Sequence, residues 1–389
     1  MNVNIEFFDE EPIENLVACL NYKMDKVVYF GYKKTMTEGK IQTTRDSLQR
    51  ICGIEDAEFC EVSEKDLYKI VVAIEKIIIR ELKNGNQCFF DLTGGEDAVL
   101  VAMGVLSVKY KFPMYQYNIL KDEMRVINYR ETKEIIKKVE KQKIILNLDD
   151  IIRLYGGIIN YNAQKNYKSF LDNREFMDDI GAMWKIASKD QKIWNGVSFI
   201  IKQCKKYEPD ETVFSVKRNT IVHLIKDSKA LPTIESFEKV LYLLDDAGII
   251  RNLQIAEDLI SFAYKDGNYK ECMLDAGCIL ELYTYYRNKK SGKYADCRVG
   301  VHIDWDGVIK RNGMDVMNEI DVLLLEGYVP VFISCKNGKI NQMPLYELDA
   351  VANRFGGKYV KKQLAITQPT SRAHLNRAKE MGIEVIKMR

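Results

Sequence analysis

The first 160 residues alternate short apolar runs with longer segments of helical spacing, and two of the runs end in glycine-bearing turns. Val3–Phe7 is such a run, and a helix is expected to begin over Pro12–Leu20. Lys26–Phe30 is a second run, stopped by Gly31. Leu67–Leu82 places apolar residues at three- and four-residue steps, which predicts a helix. Gln87–Leu92 reads as a strand that passes through Thr93-Gly94-Gly95 into an apolar helix over Asp97–Val108. Strands alternating with helices indicate a parallel sheet with helices on its faces. Ligands of such sheets bind beyond the carboxyl ends of the strands, where the strand order reverses. The loops after Phe30 and Asp91 are therefore the ligand candidates.

A chain of 389 residues has room for two or three domains. Residues 161–270 read as mostly helical, closing with a helix capped by Thr233 and stopped by Gly248, strands over Ile249–Leu253 and Leu259–Tyr264, and a turn at Asp266-Gly267. A helix followed by a hairpin is the outline of a winged helix; a linker without nucleic-acid contact fits the same order. Residues 271–389 read as a mixed α/β unit. It has a helix over Met273–Tyr286, a strand over Arg298–Trp305, a hairpin of Glu319–Leu325 and Tyr328–Lys336 around Glu326-Gly327, and a helix over Leu345–Phe355. A strand (Leu364–Thr367), a helix (Arg372–Met381) and a last strand (Ile383–Ile386) complete it.

Composition narrows the function classes. The chain is 47% hydrophobic, 29% charged and carries a net charge of +2, so it is not a polyanion binder as a whole. Gly357–Arg389 holds eight Lys/Arg against two Asp/Glu, a local excess that either tracks phosphates or is an ordinary solvated face. No run is apolar enough for a membrane span, and the start lacks the pattern of a signal peptide. Nine scattered cysteines without a Cys-x-x-Cys pair, and only three histidines, argue against structural zinc and for reduced thiols in a cytoplasm.

The glycine turns carry the first candidate site. Gly94 and Gly95 permit close backbone approach, the following helix offers free N–H groups to a phosphate, and Thr93 adds a hydroxyl. Gly31, Tyr32, Lys33 and Thr35 could bring a cation and an aromatic face to the same ligand. Neither a nucleoside triphosphate loop nor a dinucleotide fingerprint is present. Glu96 and Asp97 would repel a phosphate aimed at them and are read as capping the helix. The plain alternative is a tight strand-to-helix turn.

The second candidate is Asn318-Glu319-Ile320-Asp321 with Ser334-Cys335-Lys336. A short loop at Glu326-Gly327 pairs Asp321 with a residue between Phe332 and Ser334, and alternation puts Phe332, Ser334 and Lys336 on one face. A carboxylate and an ammonium then meet at one end of an otherwise apolar hairpin. Phosphodiester cleavage uses a divalent cation, and Mg²⁺ or Mn²⁺ takes hard oxygen ligands such as Asp321. Lys336 could orient a water or neutralise charge. Glu281, an acid among apolar neighbours, either joins this site or lies on an exposed stripe. The bland alternative is a strand-end salt bridge.

In this order and spacing, Asp9-Glu10-Glu11-Pro12-Ile13-Glu14-Asn15, Asp91-Leu92-Thr93-Gly94-Gly95 and Asn318–Asp321 with Ser334–Lys336 resemble the CRISPR-associated Rossmann-fold (CARF) nucleases of type III CRISPR systems. The resemblance covers essentially the whole chain. It implies a CARF domain over 1–160, a winged-helix-like linker over 161–270 and a PD-(D/E)XK restriction-endonuclease-like domain over 271–389. It implies a homodimer that binds a cyclic oligoadenylate, cyclic tetra-adenylate in the first instance, and in response cleaves DNA and/or RNA in antiviral defence.

One departure stands out. The nuclease pattern expects an acid two residues before the lysine, where this chain has Ser334. The missing ligand must come from Glu281, Glu319 or Glu347, or from the backbone carbonyl of Cys335; otherwise the domain has decayed. Two other function classes remain: a ligand-responsive nucleic-acid-binding regulator, and a small-molecule enzyme. The missing dinucleotide fingerprint and the absence of histidine near either turn argue against the latter.

Overall fold

The computed structural model describes residues 1–64, 66–127, 139–163, 171–207, 212–309 and 316–388; Arg389, the end of the basic stretch, lies outside them. The N-terminal unit is a Rossmann-like sheet. Its elements are β1 (Asn2–Phe7), α1 (Val17–Asn21), β2 (Lys26–Gly31), α2 (Glu38–Ser47), β3 (Asp56–Glu61), α3 (Leu67–Lys83), β4 (Gln87–Asp91), α4 (Asp97–Tyr110), β5 (Met114–Asn118) and β6 (Glu123–Ile127). The strand order is β3-β2-β1-β4-β5-β6, parallel except for β6. The order reverses between β1 and β4, so the carboxyl ends of those two strands form the crevice. α3 buries Ile70, Ile74, Ile77 and Ile78 on one face, and Asp66 caps it by accepting the Lys69 N–H. α1 starts at Val17, later than the apolar pattern suggests, because Glu11–Leu16 forms tight turns first.

The middle region contains α6 (Arg174–Ala187), α7 (Gln191–Cys204), β8 (Val213–Lys217), α8 (Arg218–Ser228), α9 (Ile234–Asp246), β9 (Ile250–Ile255) and β10 (Leu259–Tyr264), after α5 (Leu148–Leu154) and β7 (Ile158–Ile159). β8, β10 and β9 form a three-stranded antiparallel sheet. Asp266-Gly267 is a helix start, not a free turn: the Asp266 side chain accepts the N–H groups of Asn268 and Tyr269 at the head of α10 (Gly267–Leu274).

The C-terminal unit holds α11 (Cys278–Lys290), β11 (Asp296–Asp304), β12 (Met317–Glu326), β13 (Val329–Lys336), α12 (Met343–Gly356), β14 (Lys361–Ile366), α13 (Arg372–Glu380) and β15 (Ile383–Lys387). Its sheet runs β15-β14-β13-β12-β11-β7, so the edge strand Ile158–Ile159 comes from the chain before residue 160. Such pairing across more than 140 residues leaves no local signal in the sequence.

Both faces of the β12–β13 hairpin are buried. Leu323, Leu325 and Phe332 enter a core that also contains Phe8 and Tyr29 of the N-terminal unit, Ile152 of α5 and Phe355 of α12. Val322, Leu324, Val331 and Ile333 enter the core of the middle region. The N-terminal sheet and the C-terminal sheet therefore share one continuous core. Phe332→Ala should cost about 3–5 kcal/mol, the range for removing a buried phenyl ring. Because the core is shared, denaturant melts followed separately by N- and C-terminal probes should shift together; a shift confined to the C-terminal probe would contradict it.

Candidate sensor crevice and acidic site

At the crevice, parallel register sets Glu6 of β1 directly beside Asp91 of β4. Both are almost fully buried, and neither Glu6 Oε1 nor Asp91 Oδ2 receives a hydrogen bond from a protein donor. Burial pushes the Glu6 carboxyl well above its usual range, with the nearby Asp91 charge adding to it, and burial lifts Asp91 to about 6. One proton held between the two carboxyls would satisfy both orphaned oxygens. Asp91 also orders the turn, accepting the Thr93 N–H at 2.8 Å and the Thr93 hydroxyl at 2.5 Å.

The expected sensor residues separate into two groups. Gly31 is enclosed, with an added Cβ falling 2.6 Å from Met36 Sδ. Tyr32 is buried edge-on against Phe7, and the Thr35 hydroxyl donates to the Tyr32 carbonyl at 2.9 Å. Lys33 is exposed. Thr93, Gly94 and Gly95 are half-buried, and the end of β1 lies between them and the β2 loop. The Thr93 hydroxyl is engaged by Asp91 and by the Tyr117 N–H. Glu96 occupies the N-cap position of α4 but makes no capping hydrogen bond. The Gly95 N–H is taken by Asp9 Oδ2 at 3.1 Å.

At the other site the strand ladder between β12 and β13 ends at Val322 and Ile333. Just beyond it, Asp321 Oδ2 accepts the Cys335 N–H at 2.5 Å and the Ser334 hydroxyl at 3.2 Å, and Lys336 Nζ lies 3.5 Å away. Ser334 thus supports the acid and does not replace one. Carboxylate oxygens of Glu281, from α11, and of Glu319 lie with that of Asp321 within 4.8 Å of one another. This donor set of hard oxygens fits Mg²⁺ or Mn²⁺. Glu347, from α12, lines the small pocket beside Asp321 and Lys336. The Cys335 thiol is buried against Thr284, and burial, reinforced by the Asp321 charge, holds its pKa well above the usual value, so it stays protonated.

Asn337 carried no signal in the sequence beyond its place after Lys336. Its amide donates to Asn195 of α7 at 2.8 Å and to the Ala276 carbonyl at 2.6 Å, and its carbonyl accepts the Thr367 hydroxyl at 3.0 Å. Ala276 lies in the break between α10 and α11, where one continuous helix was expected; Asp275 closes that break by accepting the Gly277 N–H. Asn337 therefore ties the strand bearing Lys336 to the start of the helix bearing Glu281. In the basic stretch, Lys358, Lys361, Lys362 and Arg377 form ion pairs with Glu14, Glu326, Asp349 and Glu380, which favours a structural reading of those charges.

No protein-family model matches the chain, and no curated protein matches it in sequence. Solved structures do match in shape. Protein VC1899 from Vibrio cholerae superposes with a TM-score of 0.73 at 15% identity, covering 99% of this chain and 94% of that one. Can2 from Sulfobacillus thermosulfidooxidans, in complex with cyclic tetra-adenylate, superposes with a TM-score of 0.64 at 16% identity, covering 98% and 92%. At this identity the likenesses establish the fold: a Rossmann-like N-terminal domain with a C-terminal α/β domain.

The buried acids predict a pH dependence. Their folded pKa values are raised, so the native state holds protons that the unfolded state releases. Their contribution is present below about pH 4, near the ordinary carboxylate values, and is lost as pH rises through the raised values, about 6 for Asp91 and well above the usual carboxylate range for Glu6. Melting temperature should fall between pH 5 and pH 8 in the wild type and fall less in Glu6→Gln. An equal fall in both proteins would count against the shared proton.

Proposed function

We propose that the chain is a nuclease of type III CRISPR antiviral defence, dependent on a divalent cation and switched on by a cyclic oligoadenylate. The observation that carries this reading is the meeting of Glu281, Glu319 and Asp321 beside Lys336, since it supplies the acid that Ser334 lacks. Glu281, Glu319 and Asp321 would hold Mg²⁺ or Mn²⁺. When bound, the cation supplies the positive charge that lets a phosphodiester of DNA and/or RNA accept a nucleophile. Asp321 is oriented for this task by the Cys335 N–H and the Ser334 hydroxyl. Lys336, partly exposed, neutralises charge gathering on the phosphate.

The sensor assignment draws on the crevice at the carboxyl ends of β1 and β4 and on a fold shared with a protein that binds cyclic tetra-adenylate. The proposed activator sits at Thr93–Gly95, across two copies of the chain. Support for the second copy comes from α4. Val101, Val105 and Val108 form an outward stripe, each more than half exposed, on the helix that begins just after this turn. A helix apolar on both faces is suited to burial on both, and an isologous dimer presents each turn twice to a two-fold symmetric ligand.

The test is cleavage of single- and double-stranded DNA and RNA with Mn²⁺ or Mg²⁺, with and without cyclic tetra-adenylate. A large rise in rate with the activator is expected. Asp321→Asn and Lys336→Ala should each lower that rate at least about 100-fold, with calorimetric binding of the activator unchanged. Full activity in both variants would remove the site. Absence of cleavage under every condition would favour a nucleic-acid-binding regulator.

A further inference from the structure

The Asp9–Asn15 segment touches the sensor turn on one side and the C-terminal unit on the other. Asp9 Oδ2 holds the Gly95 N–H, and a Cβ added at Gly94 would lie 3.0 Å from both Asp9 Oδ2 and Glu14 Oε2. On the far side, the buried Glu11 carboxylate accepts the Tyr155 hydroxyl and, at 2.8 Å, the Lys358 N–H. Buried Glu14 accepts the Tyr359 hydroxyl and pairs with the Lys358 ammonium at 2.8 Å. Gly357, at φ +61°, has no room for a side chain: an added Cβ would fall 2.4 Å from Glu11 Oε1. The Gly357–Tyr359 turn directly continues α12, the helix that presents Glu347 to the acidic pocket.

We propose that Asp9–Asn15 is an autoinhibitory latch, in which Asp9 occupies the Gly95 N–H as an internal anion until a phosphate of the activator displaces it. This rests on reading Thr93–Gly95 as the activator site. One N–H cannot serve a carboxylate and a phosphate together, and their like charges repel. Asp9 cannot leave alone. Its backbone N–H and carbonyl are bonded to the Asn15 side chain at 2.8 and 3.0 Å, so both ends of the segment move together. Glu11 and Glu14 lie between those ends, and their displacement loosens Gly357–Tyr359 and the end of α12. The latch thus gives an anion at one site a mechanical effect on the pocket at the other. Coupling of this kind requires that the ligand bind one of two arrangements more tightly.

Hydrogen exchange read by mass spectrometry on the full chain tests this in two arms. Without ligand, Asp9→Ala should speed amide exchange over residues 343–360 at least about fivefold relative to wild type, with exchange in α3 and circular dichroism unchanged as folding controls. Wild-type exchange at 343–360 in Asp9→Ala would overturn the latch. If that variant proves unfolded, Glu11→Gln, which weakens the acceptor of the Lys358 N–H, is read for the same acceleration and the same refutation. In the second arm, saturating cyclic tetra-adenylate should produce the acceleration in wild type and add little in Asp9→Ala. Calorimetric binding without any change in exchange would overturn displacement by the ligand. No calorimetric binding would overturn the activator reading, and with it displacement by this ligand, while the first arm still decides whether Asp9 holds the C-terminal unit.

Discussion

Burial of the β12–β13 hairpin on both faces is the constraint on which the rest of the structure depends. Alternate side chains of these two strands feed two different cores, one shared with the N-terminal sheet and one with the middle region. No charge can be placed along such strands without a large desolvation cost. Charge therefore gathers where the β12–β13 ladder stops, at Asp321 and Lys336, with the Ser334 hydroxyl bonded to the acid. α11 delivers Glu281 to the same end and α12 delivers Glu347. The acidic site is thus a consequence of where β12 and β13 part, each still paired to its other neighbour, and every region of the chain that packs on the hairpin helps to fix it.

The crevice of the N-terminal unit follows a different electrostatic logic. Glu6 and Asp91 are buried side by side, and Asp9 and Glu14 lie against Gly94 in the turn that follows Asp91. An acid-rich crevice is a poor host for an anion while its carboxylates stay in place. In the proposed latch it becomes a suitable one when Asp9 yields the Gly95 N–H, and the repulsion between the acids and a phosphate would then make binding do mechanical work.

Elements set by local pattern were legible in the sequence. β1, β2, β4, α3 and α4 lie where apolar runs, glycine turns and helical spacing put them, and the β12–β13 hairpin has the expected loop and face. Elements decided by distant partners were not. The break at Asp275–Gly277 depends on Asn337 capturing the Ala276 carbonyl, and β7 belongs to a sheet whose other strands follow more than 130 residues later. Glu281 and Glu319 were legible as candidates for the missing ligand, together with Glu347, but which of them meets Asp321 is a tertiary fact. Glu11 and Glu14 sit in an irregular turn, where no periodicity distinguishes a buried carboxylate from an exposed one.

The proposed nuclease activity requires that Glu281, Glu319 and Asp321 together hold a divalent cation. Anomalous diffraction from crystals of the full chain grown with Mn²⁺, recorded on both sides of the manganese absorption edge, tests it most directly. Cation binding by these three carboxylates gives one strong edge-dependent peak among them, lost in crystals of Asp321→Asn. Manganese bound only elsewhere, or a peak at this position that persists in Asp321→Asn, would contradict it.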